Sequence, residues 1–338
     1  MTSANASRIT IDNLQPAQNV AGVFAVQNLQ LGNTKAGKPY LKMVIADSTG
    51  RTPGRMWSVT EEQFASLPTD GFVYLEGQTQ PYQGEMQIIV HNIRAHQPTQ
   101  RELMDLLPAT KQDVDEMFAG VLRLLQSIQS PAIKCLVDRY LEDGDLMGRF
   151  CQAPAAQTLH HAYLGGLLEH TYSLMQLADK IVGHYPHLSR DIVLMGLFLH
   201  DLGKCDELTW LEGFGYSTDG QLVGHIGRGV VMLNDKCRAC EDPELGDAAV
   251  KIPANLRRVL EHIILSHHGV PEFGALKLPA TPEAIFISNL DNLDAKMNMA
   301  LDAAAREKLG AGPDLGSDFT EKVWALGTKI YRPDPSKG

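Results

Sequence analysis

The feature that most constrains this chain is the apolar run Ile192-Val-Leu-Met-Gly-Leu-Phe-Leu199. It ends directly on His200-Asp201 and continues as Leu202-Gly203-Lys204. A run of this kind reads as a buried helix. Placing an imidazole and a carboxylate against its leucines is costly unless something compensates the polar groups. A metal ion suits this pair best, so further ligands are expected elsewhere in the chain.

Four other stretches supply them. His170 lies on a helix expected from about residue 160 to 182, whose apolar face carries Leu164, Leu167, Leu174, Met175, Ala178 and Ile181. It stands one turn from Leu167 and Leu174 and so points inward. His225 lies at the entry to another helix. The helix from Asn255 to His268 buries Leu256, Val259, Leu260, Ile263 and Ile264, and that face reaches His267, with His268 beside it. His262 stands ~140° around from His267 and is assigned to the outer face. Thr281-Pro282-Glu283 starts a last helix. Its face of Ala284, Ile287, Ser288, Asp291 and Ala295 turns Asp291 inward, with Asp294 one turn on as a partner behind the ligands.

A core histidine accounts for any one of these residues, but not for His170, His200, Asp201, His225, His267, His268 and Asp291 together. The set exceeds the needs of one four-coordinate zinc. It suits two divalent cations sharing a carboxylate and a water. Nitrogen-rich ligation favours Mn, Fe, Co or Zn over Mg or Ca.

Residues 18–97 read differently. The runs Val20–Val26, Tyr40–Ala46, Arg51–Trp57, Gly71–Gly77 and Met86–Ile93 are short, β-rich and punctuated by turn residues. They suggest a small closed barrel, and the weak helix Glu61–Ser66 falls where an OB-fold inserts one. Such a barrel grips single strands with cations and stacking aromatics. The candidates are Lys35, Lys38, Tyr40, Lys42, Arg51, Arg55, Trp57 and Tyr82. Trp57 or Tyr40 in so small a barrel reads as core before platform, and the cations as a solvated face. The formal net charge of −10 argues against a broad nucleic-acid-coating surface, so any groove must be local.

From Thr110, expected to cap the first helix, the pattern is helical to about Lys308. The tail resumes at Phe319 in the same pattern. The expected fold class is multidomain, a small all-β OB-fold barrel followed by an all-α helical core. The expected division is a nucleic-acid-binding barrel (1–98), a helical linker (99–155), the metal-binding helical domain (156–310) and a tail packing on it (311–338). No apolar run is long enough for a membrane span, and the N-terminus lacks the apolar core of a signal peptide. Five scattered cysteines suit a reducing cytoplasm. Cys237-Arg-Ala-Cys240 lacks a second ligand pair nearby and reads as a surface turn or incidental thiols.

The order of the ligands resembles the HD-domain superfamily of metal-dependent phosphohydrolases: His170, the His200-Asp201 pair, the later histidines and Asp291. Gly165-Gly-Leu-Leu-Glu-His-Thr171, His200-Asp-Leu-Gly-Lys204, Gly224-His225-Ile226, Leu265-Ser-His-His-Gly269, Asn289-Leu-Asp-Asn-Leu-Asp-Ala-Lys296 and Phe319–Leu326 together resemble the YhaM-type 3′→5′ exoribonucleases, which place an OB-fold before an HD domain. The resemblance implies Mn- or Co-supported removal of nucleotides from a 3′ end, with single-stranded RNA, or ssDNA, as the partner. HD-type cyclic-dinucleotide phosphodiesterases carry Gly-Tyr-Pro after the double histidine, where this chain has Gly269-Val-Pro-Glu-Phe-Gly274.

The residues themselves support metal-assisted phosphoester hydrolysis beside a strand-binding barrel. Asp201 is expected to bridge two ions, whose charge makes hydroxide available at neutral pH. Lys204 is expected either to hold the phosphate as a point charge or to serve as a helix-terminal cation. His160 and His161 are candidates for substrate contact. Zn, Fe and Mg stay open as ions, as does a homo-oligomer. Hydrolysis of free nucleotides and RNA binding by a vestigial site are the alternatives.

Overall fold

The computed structural model describes residues 9–34, 37–82, 85–156, 163–210, 215–305 and 318–333. Strands β1 (Asn19–Asn33), β2 (Pro39–Asp47), β3 (Gly50–Trp57), β4 (Gly71–Tyr82) and β5 (Glu85–Ala95) close a barrel in the order β1-β2-β3-β5-β4. Closure is made by the parallel pairing of β3 with β5 at Gly54↔Ile88 and Arg55↔Ile89; the other pairs are antiparallel. A Cβ on Gly54 would meet Ile45 Cδ1 at 2.5 Å, so glycine there lets the isoleucine fill the interior. Phe24, Val26, Leu41, Ile45, Leu75 and Ile88 complete that core. Helix α1 (Glu61–Ala65), held by a Thr60–Gln63 capping box, sits between β3 and β4 where the sequence places it.

Strand β1 is much longer than its apolar run because it serves two neighbours. Its first half pairs with β4, and beyond Ala25 it pairs with β2 through an irregularity between Gln27 and Gln30. The second half is polar on its outer side, so hydrophobic patterning alone does not reveal it.

Helix α2 (Gln100–Leu106) lies against the barrel, and its Leu103 and Leu106 join Phe72 and Leu107 in a small cluster that Leu164 also touches. A short strap ties the chain there: Leu164 donates to the Pro108 carbonyl at 2.8 Å, and Thr110 donates to the Leu164 carbonyl at 2.9 Å. The helical body follows with α3 (Val114–Gln126), α4 (Pro131–Leu141), α5 (Gly144–Gln152), α6 (Gly166–Ile181), α7 (Arg190–Leu199) and α8 (Lys204–Glu207). A small ladder of β6 (Leu208–Thr209) with β7 (Gly215–Tyr216) precedes α9 (Thr218–Leu222), α10 (Gly224–Cys240), α11 (Ala254–Ser266) and α12 (Pro282–Ala305). One continuous core runs from Met117 to Leu290, with Val193–Leu199 of α7 buried throughout. Helices α3 to α5 share that core with the motif helices.

Several expectations are corrected. Asp113, not Thr110, caps α3, accepting from the Glu116 N–H at 3.0 Å. Thr110 belongs to the strap, where its hydroxyl bonds Glu169. The described part of the His170 helix begins at Gly166, after Gly165 turns the chain with φ 77°. The tail from Phe319 is a hairpin, β8 (Phe319–Val323) with β9 (Thr328–Tyr331), turning at Gly327 and lying against α12. Cys237 and Cys240 are buried core residues of α10, not a surface turn. Among the described residues, no helix is long and apolar enough to cross a membrane.

Candidate metal centre

Helix α7 delivers His200 at its C-terminal end, and the next turn presents Asp201 from the same wall of leucines; both are buried. Four imidazoles are anchored through Nδ1. His200 donates to the Leu197 carbonyl at 2.7 Å, and His267 to the Ile264 carbonyl at 2.8 Å. His170 is bound by Asp294 Oδ2 at 2.8 Å, and His225 by Glu207 Oε2 at 2.9 Å. Anchoring Nδ1 in this way aims each Nε2 at the centre.

The inward atoms form two groups on either side of Asp201. One comprises His170, His200 and Asp291, the other His225, His267 and His268; within each, the ligand atoms lie within 4.8 Å of one another. Asp201 Oδ2 lies 3.9 Å from His170 Nε2 and 3.4 Å from His200 Nε2. Asp201 Oδ1 lies 3.4 Å from His267 Nε2 and 3.6 Å from His225 Nε2. Lys204 Nζ sits 2.7 Å from Oδ2, so the lysine is an ion-pair partner of Asp201.

The residues fit divalent cations on a direct observation. Asp201 Oδ1 and His267 Nε2 are buried without a hydrogen-bond partner. His267 has committed its Nδ1–H to Ile264, so in the neutral ring Nε2 is an acceptor facing another acceptor. His225 Nε2 and His268 Nε2 also converge, at 3.2 Å. Convergent lone pairs in a buried site are relieved by a cation.

Burial would lower the pKa of His170, but hydrogen bonds to Asp291 and Asp294 overcome it and push the group up to about 10. Burial takes His200 down to about 4; burial, with the neighbouring His267, takes His268 down to about 3. Asp201 stays ionised against the cost of burial, held well below the usual carboxylate range by Lys204 and the histidines. Asp291 is held low by His170, and Glu207 by His225, again against burial.

The HD domain family model matches residues 167–296, which contain the whole seven-residue set. A 3′-5′ exoribonuclease YhaM of Geobacillus sp. (strain WCH70) is 32% identical over 325 residues, covering 96% of this chain and 94% of its own. The chain belongs to the YhaM family. Its Bacillus licheniformis relative, also a 3′-5′ exoribonuclease YhaM, is 32% identical over 89% of this chain and 91% of its own. A chain of a replication protein A heterotrimer bound to ssDNA aligns with 31% of this chain and 76% of its own, at 16% identity and a TM-score of 0.22.

In this YhaM-family chain Tyr40, Lys42, Arg55 and Trp57 share one outer face of β2 and β3, and Tyr82 reaches Arg55 from the end of β4. Tyr40 pairs with Trp57, their rings 5.2 Å apart, and Lys42 pairs with Arg55. The Arg55 guanidinium lies 6.0 Å from the Tyr40 ring and 5.9 Å from that of Tyr82. Trp57 is 47% exposed and Tyr82 52%, so the expectation of a core Trp57 is overturned. The register explains it: Trp57 alternates with the buried Met56, whose side carries the barrel core. Lys38 and Arg51 are exposed at the strand ends, away from this pairing. Lys35, His160 and His161 lie outside the described residues. His262 stays off the centre, its Nε2 accepting from the Ala280 N–H at 2.8 Å. Glu207 was not singled out from the sequence. Its only signal was an acidic residue within an otherwise buried turn after the motif.

Proposed function

We propose that this protein is a metal-dependent 3′→5′ exoribonuclease that releases nucleoside 5′-monophosphates from single-stranded RNA, with ssDNA as a second substrate. The observation that carries the reading is Asp201, buried between two ligand groups with one oxygen turned to each. His170, His200 and Asp291 would hold one divalent ion, and His225, His267 and His268 the other, with Asp201 shared. Ions bound there would supply water activation and neutralise charge on the phosphoryl group.

The chain's own residues prepare that chemistry. Lys204 keeps Asp201 ionised and fixes its Oδ2. The Nδ1 anchors of His170, His200, His225 and His267 hold each ring with its Nε2 toward the centre before any ion arrives. The aromatic and cationic face of the barrel gives a single strand stacking surfaces and two positive charges, which a hydrolase of free nucleotides would not need. Nitrogen-rich ligation favours Mn, Fe, Co or Zn over Mg or Ca, and the family resemblance narrows the choice to Mn2+ or Co2+. Free cysteines, three of them buried, support a reducing compartment such as the cytoplasm.

The test is the product ladder of 5′-labelled RNA and DNA with each divalent ion. A ladder shortening one nucleotide at a time, abolished in Asp201→Ala, is the expected result. RNA that is bound but never shortened, or cleavage of free nucleotides alone, would overturn the reading.

A further inference from the structure

The two ligand groups are built differently. His170, His200 and Asp291 come from three long helices, α6, α7 and α12, locked together in the main core. The other group is built from two places only. His267 and His268 follow α11, while His225 opens α10 on its own. What positions the α10 end decides whether the second group exists.

That end is held by α8. A Cβ on Gly203 would meet the His225 carbonyl oxygen at 2.1 Å, so the motif turn is seated directly on the first turn of α10. Glu207, the last residue of α8, grips the same residue twice. Its Oε1 accepts the His225 backbone N–H at 3.1 Å, and its Oε2 accepts Nδ1–H at 2.9 Å. Glu207 is itself fixed, because its carbonyl accepts from the Ser217 N–H at 2.9 Å and a Cβ on Gly220 would stand 2.2 Å from that oxygen. The carboxylate does not reach the ligand atoms; it acts only through His225.

We propose that Glu207 is the positioning residue of the second ion site: by accepting hydrogen bonds from the Nδ1–H and the backbone N–H of His225, it fixes both the ring and the tautomer that turns an Nε2 lone pair toward Asp201. The inference rests on the two-ion reading above. Without Glu207 the His225, His267, His268 group loses a ligand, whereas the group fixed by Asp294 does not.

Glu207→Gln is the informative variant. Its amide oxygen can still accept the backbone N–H, but its NH2 faces Nδ1 and drives the ring proton to Nε2. The full chain, stripped of metal, is titrated with Mn2+ while free Mn2+ is followed by its electron paramagnetic resonance signal. Wild type is expected to take up two ions. Glu207→Gln is expected to keep one at unchanged affinity, which also shows that it folds, and to bind the other about 10–100-fold more weakly. Nitrogen-15 imidazole spectra of the metal-free variant are expected to show His225 protonated on Nε2. Uptake of fewer than two ions by wild type would overturn the two-ion reading itself. Two ions in wild type, with both retained unchanged or both lost in Glu207→Gln, would overturn the role of Glu207 alone.

Discussion

His170 shows how one residue can be prepared for two partners. It lies between Asp294 on Nδ1, at 2.8 Å, and Asp291 on Nε2, at 3.2 Å. These carboxylates lift its pKa to about 10 against burial, so the metal-free ring is an imidazolium at neutral pH. A divalent ion must take the Nε2 lone pair and therefore expel that proton. The sign follows: below pH 10 the proton competes with the ion, and affinity at this group rises by up to about tenfold per pH unit until the ring titrates. Mn2+ titration calorimetry at pH 7.5, in two buffers of different ionisation enthalpy, is expected to show release of about one proton per protein. Release near zero would mean that His170 is neutral in the metal-free protein. Asp294 carries the anchoring role here, and it is itself held by the Ser173 hydroxyl at 2.9 Å and the Asn298 amide at 3.1 Å. Asp294→Asn is expected to weaken ion binding at the His170 group about 10–100-fold, read by the same calorimetry, with the His225 group unaffected.

At the scale of elements, the centre depends on how closely α8 and α10 approach, and glycine makes that approach possible. Gly203→Ala would drive a methyl into the His225 carbonyl at 2.1 Å and the Gly229 nitrogen at 2.9 Å, both backbone atoms. The expected cost is about 1–3 kcal/mol, with loss of the His225 group, read by chemical denaturation and ion stoichiometry. Gly148 is the control, since it lies in the exposed interior of α5 and a Cβ there meets nothing within 4 Å. Gly148→Ala is expected to stabilise by about 0.5–1 kcal/mol. An equal response from the two glycines would remove the packing argument.

This contrast also marks what could be read from sequence. Helical periodicity was enough to turn His170, His267 and Asp291 inward, because each falls on an apolar stripe. Gly203 and Glu207 belong to no stripe, since they act across elements whose approach only the fold defines. Thr110 misled for the same reason: its hydroxyl is claimed by Glu169 from α6, a partner 59 residues away. The β8–β9 hairpin was invisible because Phe319–Leu326 has the apolar spacing of a helix, while its pairing partner lies beyond Gly327.

For the whole molecule, a barrel and a helical body are joined by the Pro108–Leu164 strap and the apolar cluster around Leu164. The same segment leads directly into α6 and His170. If the outer face of β2 and β3 grips the strand, then grip and chemistry are separable in mutants. Trp57→Ala with Tyr82→Ala removes two stacking rings, each worth about 1–3 kcal/mol per base. Affinity for a single-stranded RNA long enough to span both parts is expected to fall at least tenfold, measured by fluorescence anisotropy with Asp201→Ala as the background to prevent turnover. Ion uptake by the same double variant is expected to be unchanged, because neither ring approaches the centre. Lys42 and Arg55 supply the local charge on this face of an otherwise acidic chain. The salt dependence of binding is therefore expected to be shallow, a log–log slope of about −1 to −2 at ~0.7 per neutralised phosphate. A slope of −5 or steeper would place the strand on a larger basic surface, and full affinity in the double variant would place it away from this face.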